Sequence, residues 1–199
     1  MTNMLVLLAP LMMAAEPAPK SDATTTYDKK GQVSTFGGDC RVKRTRTEML
    51  LDIDPNPPGT AGPMKARTRL ILNPFTAKRL QAALQTTIQR HEAVFGAVEV
   101  PQAKQPKDEG TLDPGAAIIY ANFCRVTATP EEVFLDFGLN EDPFGEGPRV
   151  ITMERRVILT PLGCKVLLAE FTKVIAGYEA EFGVIELDVR KRVKKQPDR

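Results

Sequence analysis

The chain has 199 residues, 42% hydrophobic and 26% charged, with a formal net charge of +2. That supplies apolar material for one ordinary core or two small ones, and the composition reads as globular. Nine Phe, three Tyr and no Trp argue against a stacking surface rich in aromatics, and the single histidine, His91, excludes histidine triads and two-histidine metal sites.

Met4 to Ala15 form an apolar run that ends in small residues, as a signal peptide does, but no Lys or Arg precedes it. The run is shorter than the roughly 20 residues that span a bilayer, so no transmembrane anchor is expected. Two readings follow, an export signal or a soluble tail behind a start at Met12 or Met13. Cys40, Cys124 and Cys164 cannot all pair within one chain and have no zinc-binding spacing. They suit a reducing compartment and tilt the balance to the cytoplasm, with export as the alternative. Residues 1–39 are read as a flexible lead-in.

From residue 40 the chain repeats itself. Cys40-Arg41-Val42 and Glu48-Met49-Leu50-Leu51-Asp52 recur 84 positions later as Cys124-Arg125-Val126 and Glu132-Val133-Phe134-Leu135-Asp136. Beyond a loop that is longer in the second copy the offset becomes 87. There Arg69-Leu70-Ile71-Leu72-Asn73-Pro74 matches Arg156-Val157-Ile158-Leu159-Thr160-Pro161, and Glu92-Ala93-Val94-Phe95-Gly96 matches Glu179-Ala180-Glu181-Phe182-Gly183. Each copy reads as β-rich segments broken by a hairpin loop, Asp54 to Gly59 or Asn140 to Gly145, whose prolines and glycine reverse the chain.

A helix follows in each copy. Asn73-Pro74 and Thr160-Pro161 place a capping side chain ahead of a proline at the first helical position. Leu80, Leu84, Ile88, His91 and Phe95, and then Cys164, Leu167, Leu168, Phe171, Ile175, Tyr178 and Phe182, recur at helical spacing on one face. Gly96 and Gly183 stop the helices, and short β-like tails are expected at 97–100 and 184–187. The segments are thus a first repeat at 40–100, a linker at 101–120, a second repeat at 121–187 and a basic tail at 188–199. Neither unit covers its own sheet, so the expected fold is α+β: two tandem β-β-β-α units, with antiparallel sheets and one helix each, paired as an intramolecular pseudo-dimer.

Charge divides the copies. Residues 40–100 carry ten basic and five acidic groups, residues 121–187 carry six and eleven, and the tail carries six and two. Strand alternation sets Arg41 and Lys43 on one face, and Lys65, Arg67 and Arg69 together on one face, with Arg44 and Arg46 beside the first strand. These, with Arg190, Lys191, Arg192, Lys194 and Lys195, are the candidate contacts for nucleic acid or an acidic protein. The competing reading is a solvated edge guarded against aggregation and complementing the acidic copy.

Glu131, Glu132, Asp136, Glu141, Asp142 and Glu146 read as a solvated acidic loop, since no calcium-loop spacing joins them. Asp52 and Asp136 could meet across a two-fold as an acid/base pair, but matched strand aspartates read more simply as structural. Cys40 and Cys124 read as buried thiols, with a disulfide between them the alternative for an exported chain. With no phosphate loop or nucleophile motif, the expectation is a non-enzymatic protein without cofactor or metal.

Tyr120 to Val126, Pro130-Glu131-Glu132, Leu135-Asp136-Phe137-Gly138 and Phe182 to Val189 resemble a bacterial and archaeal family catalogued as domain of unknown function 3467. The resemblance covers the second copy well. The first copy departs from it, with Asp39 where Phe123 stands and no counterpart of the Pro130-Glu131 pair. It implies the repeated fold unit and oligomeric pairing, and no catalytic residues. A looser likeness, of topology alone, is to the PUR repeat of single-strand nucleic-acid binding proteins. The functional expectation is an accessory binding protein that contacts nucleic acid. The alternative is an interaction module that assembles through its charge-opposed copies, with a second copy of the chain among its candidate partners.

Overall fold

The computed structural model describes residues 25–57, 63–101, 110–142 and 149–192. Residues 4–15, the loop segments 58–62 and 143–148, the linker segment 102–109, and Lys194 and Lys195 lie outside the described residues. Within them the first unit comprises β1 (Thr25–Asp28), β2 (Val33–Phe36), β3 (Asp39–Arg44), β4 (Met49–Asp54), β5 (Lys65–Leu72) and α1 (Pro74–Phe95). The second comprises β6 (Thr111–Ala121), β7 (Phe123–Ala128), β8 (Val133–Asn140), β9 (Arg149–Leu159) and α2 (Pro161–Phe182), followed by the single turn α3 (Val189–Arg192).

β3, β4 and β5 form an antiparallel meander, and β7, β8 and β9 form its equivalent. The tight turns match as well. Thr45 Oγ1 accepts the Glu48 amide at 3.0 Å and Thr129 Oγ1 accepts the Glu132 amide at 3.0 Å. In both turns this local side-chain bond adds to a backbone one, Thr45 N–H to the Glu48 carbonyl at 2.9 Å and Thr129 N–H to the Glu132 carbonyl at 2.8 Å. Alternation buries Met49, Leu51 and Ile53 of β4 and Val133, Leu135 and Phe137 of β8 on the inner faces.

Both helices begin as their caps require. Asn73 Oδ1 accepts the Thr76 amide at 2.8 Å, and Thr160 Oγ1 accepts the Gly163 amide at 3.0 Å. Both end on a glycine with φ near +90°, Gly96 and Gly183, where a side chain would be strained. Leu80, Leu84 and Ile88, and Cys164, Leu167, Phe171 and Ile175, are buried, whereas Phe95 and Phe182 are exposed beside the helix ends. The stretches 97–100 and 184–187 are not strands.

The two units exchange parts. β1 and β2 pair in parallel with β9 of the second unit, and β6 pairs in parallel with β5 of the first. Strands therefore occupy stretches that read as lead-in and linker, and the sheets are mixed: β3-β4-β5-β6 in one, and β7-β8-β9 with the β1/β2 arm in the other. The registers correspond, Phe36 opposite Ile158 and Tyr120 opposite Ile71. Only Gly37-Gly38 separates β2 from β3, and only Asn122 separates β6 from β7, so at each place the chain leaves one sheet and enters the other. The helices cross over too, α1 packing on β7 and α2 on β3, and the buried side chains of both units merge in one core.

Reciprocal clamps fasten the helix pair. Lys78 Nζ lies 2.9 Å from Glu179 Oε1, and Lys165 Nζ lies 2.6 Å from Glu92 Oε1. Each glutamate also caps the chain beyond a helix, Glu92 accepting the Val98 amide and Glu179 the Ile185 amide. The Lys165 hydrogen bond, with the Val98 amide, holds Glu92 below the usual carboxylate range; at Glu179 burial opposes the same effect and is outweighed by Lys78 and the Ile185 amide.

The Gly38 crossing leaves no room for a side chain, because a Cβ there would run into the backbone of Pro55 and Asn56. Gly38→Ala should cost about 1–3 kcal/mol, the usual range for overpacking. Gly115→Ala, where a Cβ meets only ordinary contact, should change little; urea denaturation of the two variants checks the contrast.

Candidate nucleic-acid interface

The outer face of each sheet, opposite the core, carries a row of charge built by the cross-strand register. In the first sheet Arg41 of β3 stands opposite Asp52 of β4, which stands opposite Arg69 of β5. In the second, Arg125 of β7, Asp136 of β8 and Arg156 of β9 repeat the row. Both aspartates are buried beneath these heads, at 3% and 0% exposure. Burial without partners would be costly for either, and both are partnered.

Asp136 is the more fully satisfied. Arg156 donates Nε to Oδ1 at 2.7 Å and Nη2 to Oδ2 at 2.9 Å, Arg125 donates Nη2 to Oδ2 at 2.7 Å, and Gln32 Nε2 donates to Oδ1 at 3.2 Å. Burial alone would push its carboxyl up. The hydrogen bonds from Arg156 and Arg125 outweigh that and hold it below the usual range. The Arg125 guanidinium also lies 4.6 Å from the Tyr27 ring centroid, and Arg156 lies 5.1 Å from that of Phe134.

In the first sheet Arg69 grips Asp52 in the same bidentate way, at 2.6 and 2.7 Å. Arg41 turns instead to Asp39, at 3.1 Å. Asp39 occupies the place of Phe123, whose ring packs 5.8 Å from Tyr27. Burial raises the Asp39 carboxyl against the pull of Arg41 and the Cys40 amide, and Asp54 and Glu170 raise it further.

The other predicted basic residues divide between paired and open. Lys43 lies 4.0 Å from Asp52, Arg44 2.9 Å from Glu181 of the second unit, and Lys65 3.2 Å from Asp113. Arg46 and Arg67 are exposed. Lys191 lies 3.9 Å from Glu186, and Arg192 sits 4.2 Å over the Phe75 ring. Arg190 falls within α3. The basic surplus of the first copy is thus drawn down by Asp39, Asp113 and Glu181, all outside the 40–100 segment.

Beside each charged row lies an apolar one. Leu50, Ile71 and Tyr120 stand side by side on the first sheet, and Phe134, Ile158 and Phe36 on the second. Tyr120 is 49% exposed, Phe36 62% and Ile118 60%. Ile118 stands opposite Arg69 and Ser34 opposite Arg156, so Tyr120 and Phe36 are each the diagonal neighbour of an anchored arginine. Diagonal neighbours on one face are within reach of long and aromatic side chains.

One reading of the acidic residues changes: Asp136 belongs to a buried ion pair, not to a solvated loop. Asp52 and Asp136 are structural, sitting on separate sheets, each committed to arginine rather than to the other. Among the described residues no group of three or more His, Cys, Asp or Glu is placed to hold a metal, and no helix is long and apolar enough to cross a membrane. His91 Nε2 lies 2.9 Å from the Pro130 carbonyl; its repeat equivalent, the Tyr178 hydroxyl, donates to the Arg46 carbonyl at 3.0 Å. All three cysteines are free thiols.

Sequence reasoning missed Arg125, Arg156, Gln32, Phe36 and Tyr120. The first two were findable as repeat equivalents of Arg41 and Arg69; Phe36 and Tyr120 lie on strands that no alternation announced, and Gln32 in the turn before one of them.

These features define an internally duplicated α+β domain whose halves complete one another's sheets. The model of the family described as Protein of unknown function (DUF3467) matches residues 13–100 and again residues 98–187, so the chain belongs to that family and carries its domain twice. The matches take in β1, β2 and β6, so the exchanged arms are part of the repeated unit. No curated protein and no solved structure matches the chain.

Asp136→Asn should lower stability at neutral pH by about 3–5 kcal/mol, the usual cost of breaking a buried pair. Because the folded carboxyl is depressed, its contribution is present above the unfolded value and is lost as pH falls through the folded one. The gap between variant and wild type in urea melts should therefore close in acid. Burial also raises the Cys40 and Cys164 thiols to about 12 and the Cys124 thiol to about 11. Iodoacetamide at neutral pH should label the native chain far more slowly than the chain in urea.

Proposed function

We propose that the protein is a non-catalytic binding module that holds single-stranded nucleic acid on the outer faces of its two sheets. One observation carries this reading: on each sheet an arginine fixed by a buried aspartate, Arg69 or Arg156, lies diagonal to an exposed aromatic, Tyr120 or Phe36. A guanidinium so held keeps donors outward for phosphate at little entropic cost, and an exposed ring gives a base a stacking surface. One exposed aromatic per sheet suits a low-aromatic composition. Arg67, Lys43 and Lys191 extend the charge around the first face and the tail.

A non-enzymatic role is supported by the commitments of the reactive groups. The thiols are held protonated, the single imidazole is tied to a backbone carbonyl, the buried carboxylates Asp39, Asp52 and Asp136 are tied to arginine, and Asp54 is tied to the Asn56 and Lys65 amides.

Fluorescence anisotropy of labelled single- and double-stranded oligonucleotides with the full chain, across a salt series, tests the proposal. Expected are saturable binding that weakens with salt, preference for the single strand, and a rise in Kd of roughly 5–150-fold for Tyr120→Ala and Phe36→Ala, from the ~1–3 kcal/mol that one base–aromatic stack contributes. Absence of binding at low salt would overturn it and leave the charge-opposed copies as a protein-docking device.

A further inference from the structure

Among the described residues the two sheets end in four edges, and three of them are blocked against further pairing. β3 carries Lys43 and Arg44, with Arg46 in the turn beyond it. β6 carries Asp113 and Pro114, and proline cannot donate to a ladder. The arm edge is split into β1 and β2 by Lys29-Lys30-Gly31, where the chain turns at positive φ. Charges, prolines and interruptions are the means by which sheets avoid growing edge to edge.

From Val126 to Thr129, β7 and its turn have none of these. At the positions of Lys43, Arg44 and Arg46 it and its turn carry Thr127, Ala128 and Pro130. Its one charge, Arg125, is drawn onto the outer face by Asp136 and Tyr27. Val126, Thr127, Ala128, Thr129 and Pro130 follow one another along the wall of an open groove of about 500 Å³, whose far side is Thr87, Arg90, His91 and Phe95 of α1. Consecutive residues line it, so it is the edge of the strand that borders the groove. The matching groove along β3, about 470 Å³, is walled by Arg41, Val42, Lys43 and Arg44.

We propose that β7 is an interface for a second copy of this chain, the two β7 strands pairing antiparallel about a two-fold axis to join their sheets into one. The occupant follows from charge. An edge with neutral Thr127 and Ala128 pairs with itself without like-charge repulsion, whereas β3 set against β3 would oppose Lys43 and Arg44 to their own copies. The difference between the strands lies in the residues that govern edge pairing, while Cys40 and Val42 of β3 recur as Cys124 and Val126 of β7.

Sedimentation equilibrium of the full chain tests this. The wild type should sediment as a dimer, and its Cys124 to Ala128 amides should exchange more slowly as concentration rises. Thr127→Lys with Ala128→Arg gives β7 the residues β3 already carries at matching positions, so the fold should persist by circular dichroism while the mass halves and the added protection disappears. A wild type that stays monomeric at every concentration, or a folded double variant that remains dimeric, would overturn the proposal. Should the double variant unfold, the concentration dependence of exchange in the wild type decides alone, since exchange at those amides indifferent to concentration is incompatible with pairing there.

Discussion

A three-stranded meander with one helix leaves a row of unpaired backbone groups at its edge and too little apolar area to stand alone. The chain meets that constraint by building the unit twice and letting each copy finish the other. The β1/β2 arm closes the β9 edge, β6 closes the β5 edge, and each helix lies on the first strand of the opposite meander, α1 on β7 and α2 on β3. The Gly37-Gly38 and Asn122 crossings and the two lysine–glutamate clamps serve this exchange. Neither core can form without the other, because they are one core.

Electrostatics follows the same division of labour. The first copy is basic and the second acidic, and part of that opposition is consumed where they meet, as Arg44 with Glu181 and Lys78 with Glu179. Within each sheet the outer-face charges form rows in which a buried carboxylate fixes guanidinium heads. Those heads keep a net positive character while their geometry is set beforehand. The departure of Arg41 toward Asp39 makes the two faces unlike, the first open and more charged, the second covered by Tyr27 and Gln32.

The duplication, the two hairpins and both capped helices were legible in the sequence, because identities at a constant offset and Asn-Pro or Thr-Pro ahead of an apolar stripe each have a local cause. The arms were not. β1 and β2 are four residues each with no clean alternation, and β6 contains Pro114 and Gly115, which speak against a strand. Parallel pairing with a distant unit leaves no mark in neighbouring residues. Alternation correctly grouped Lys65, Arg67 and Arg69 on one face, but that Asp52 would neutralise Arg69 while Arg67 stayed open depends on register, which composition does not carry.

The exchanged arms have a topological consequence. If the peptide were cut between Pro101 and Gly110, neither half would own a complete sheet, yet each would hold the edge strand and helix that the other lacks. The linkage between the copies sets their local concentration rather than their mutual fit. The chain is thus a complementing pair of fragments made continuous, and the two halves can diverge in sequence, as Asp39 and Phe123 have, only so far as each still serves as the other's template.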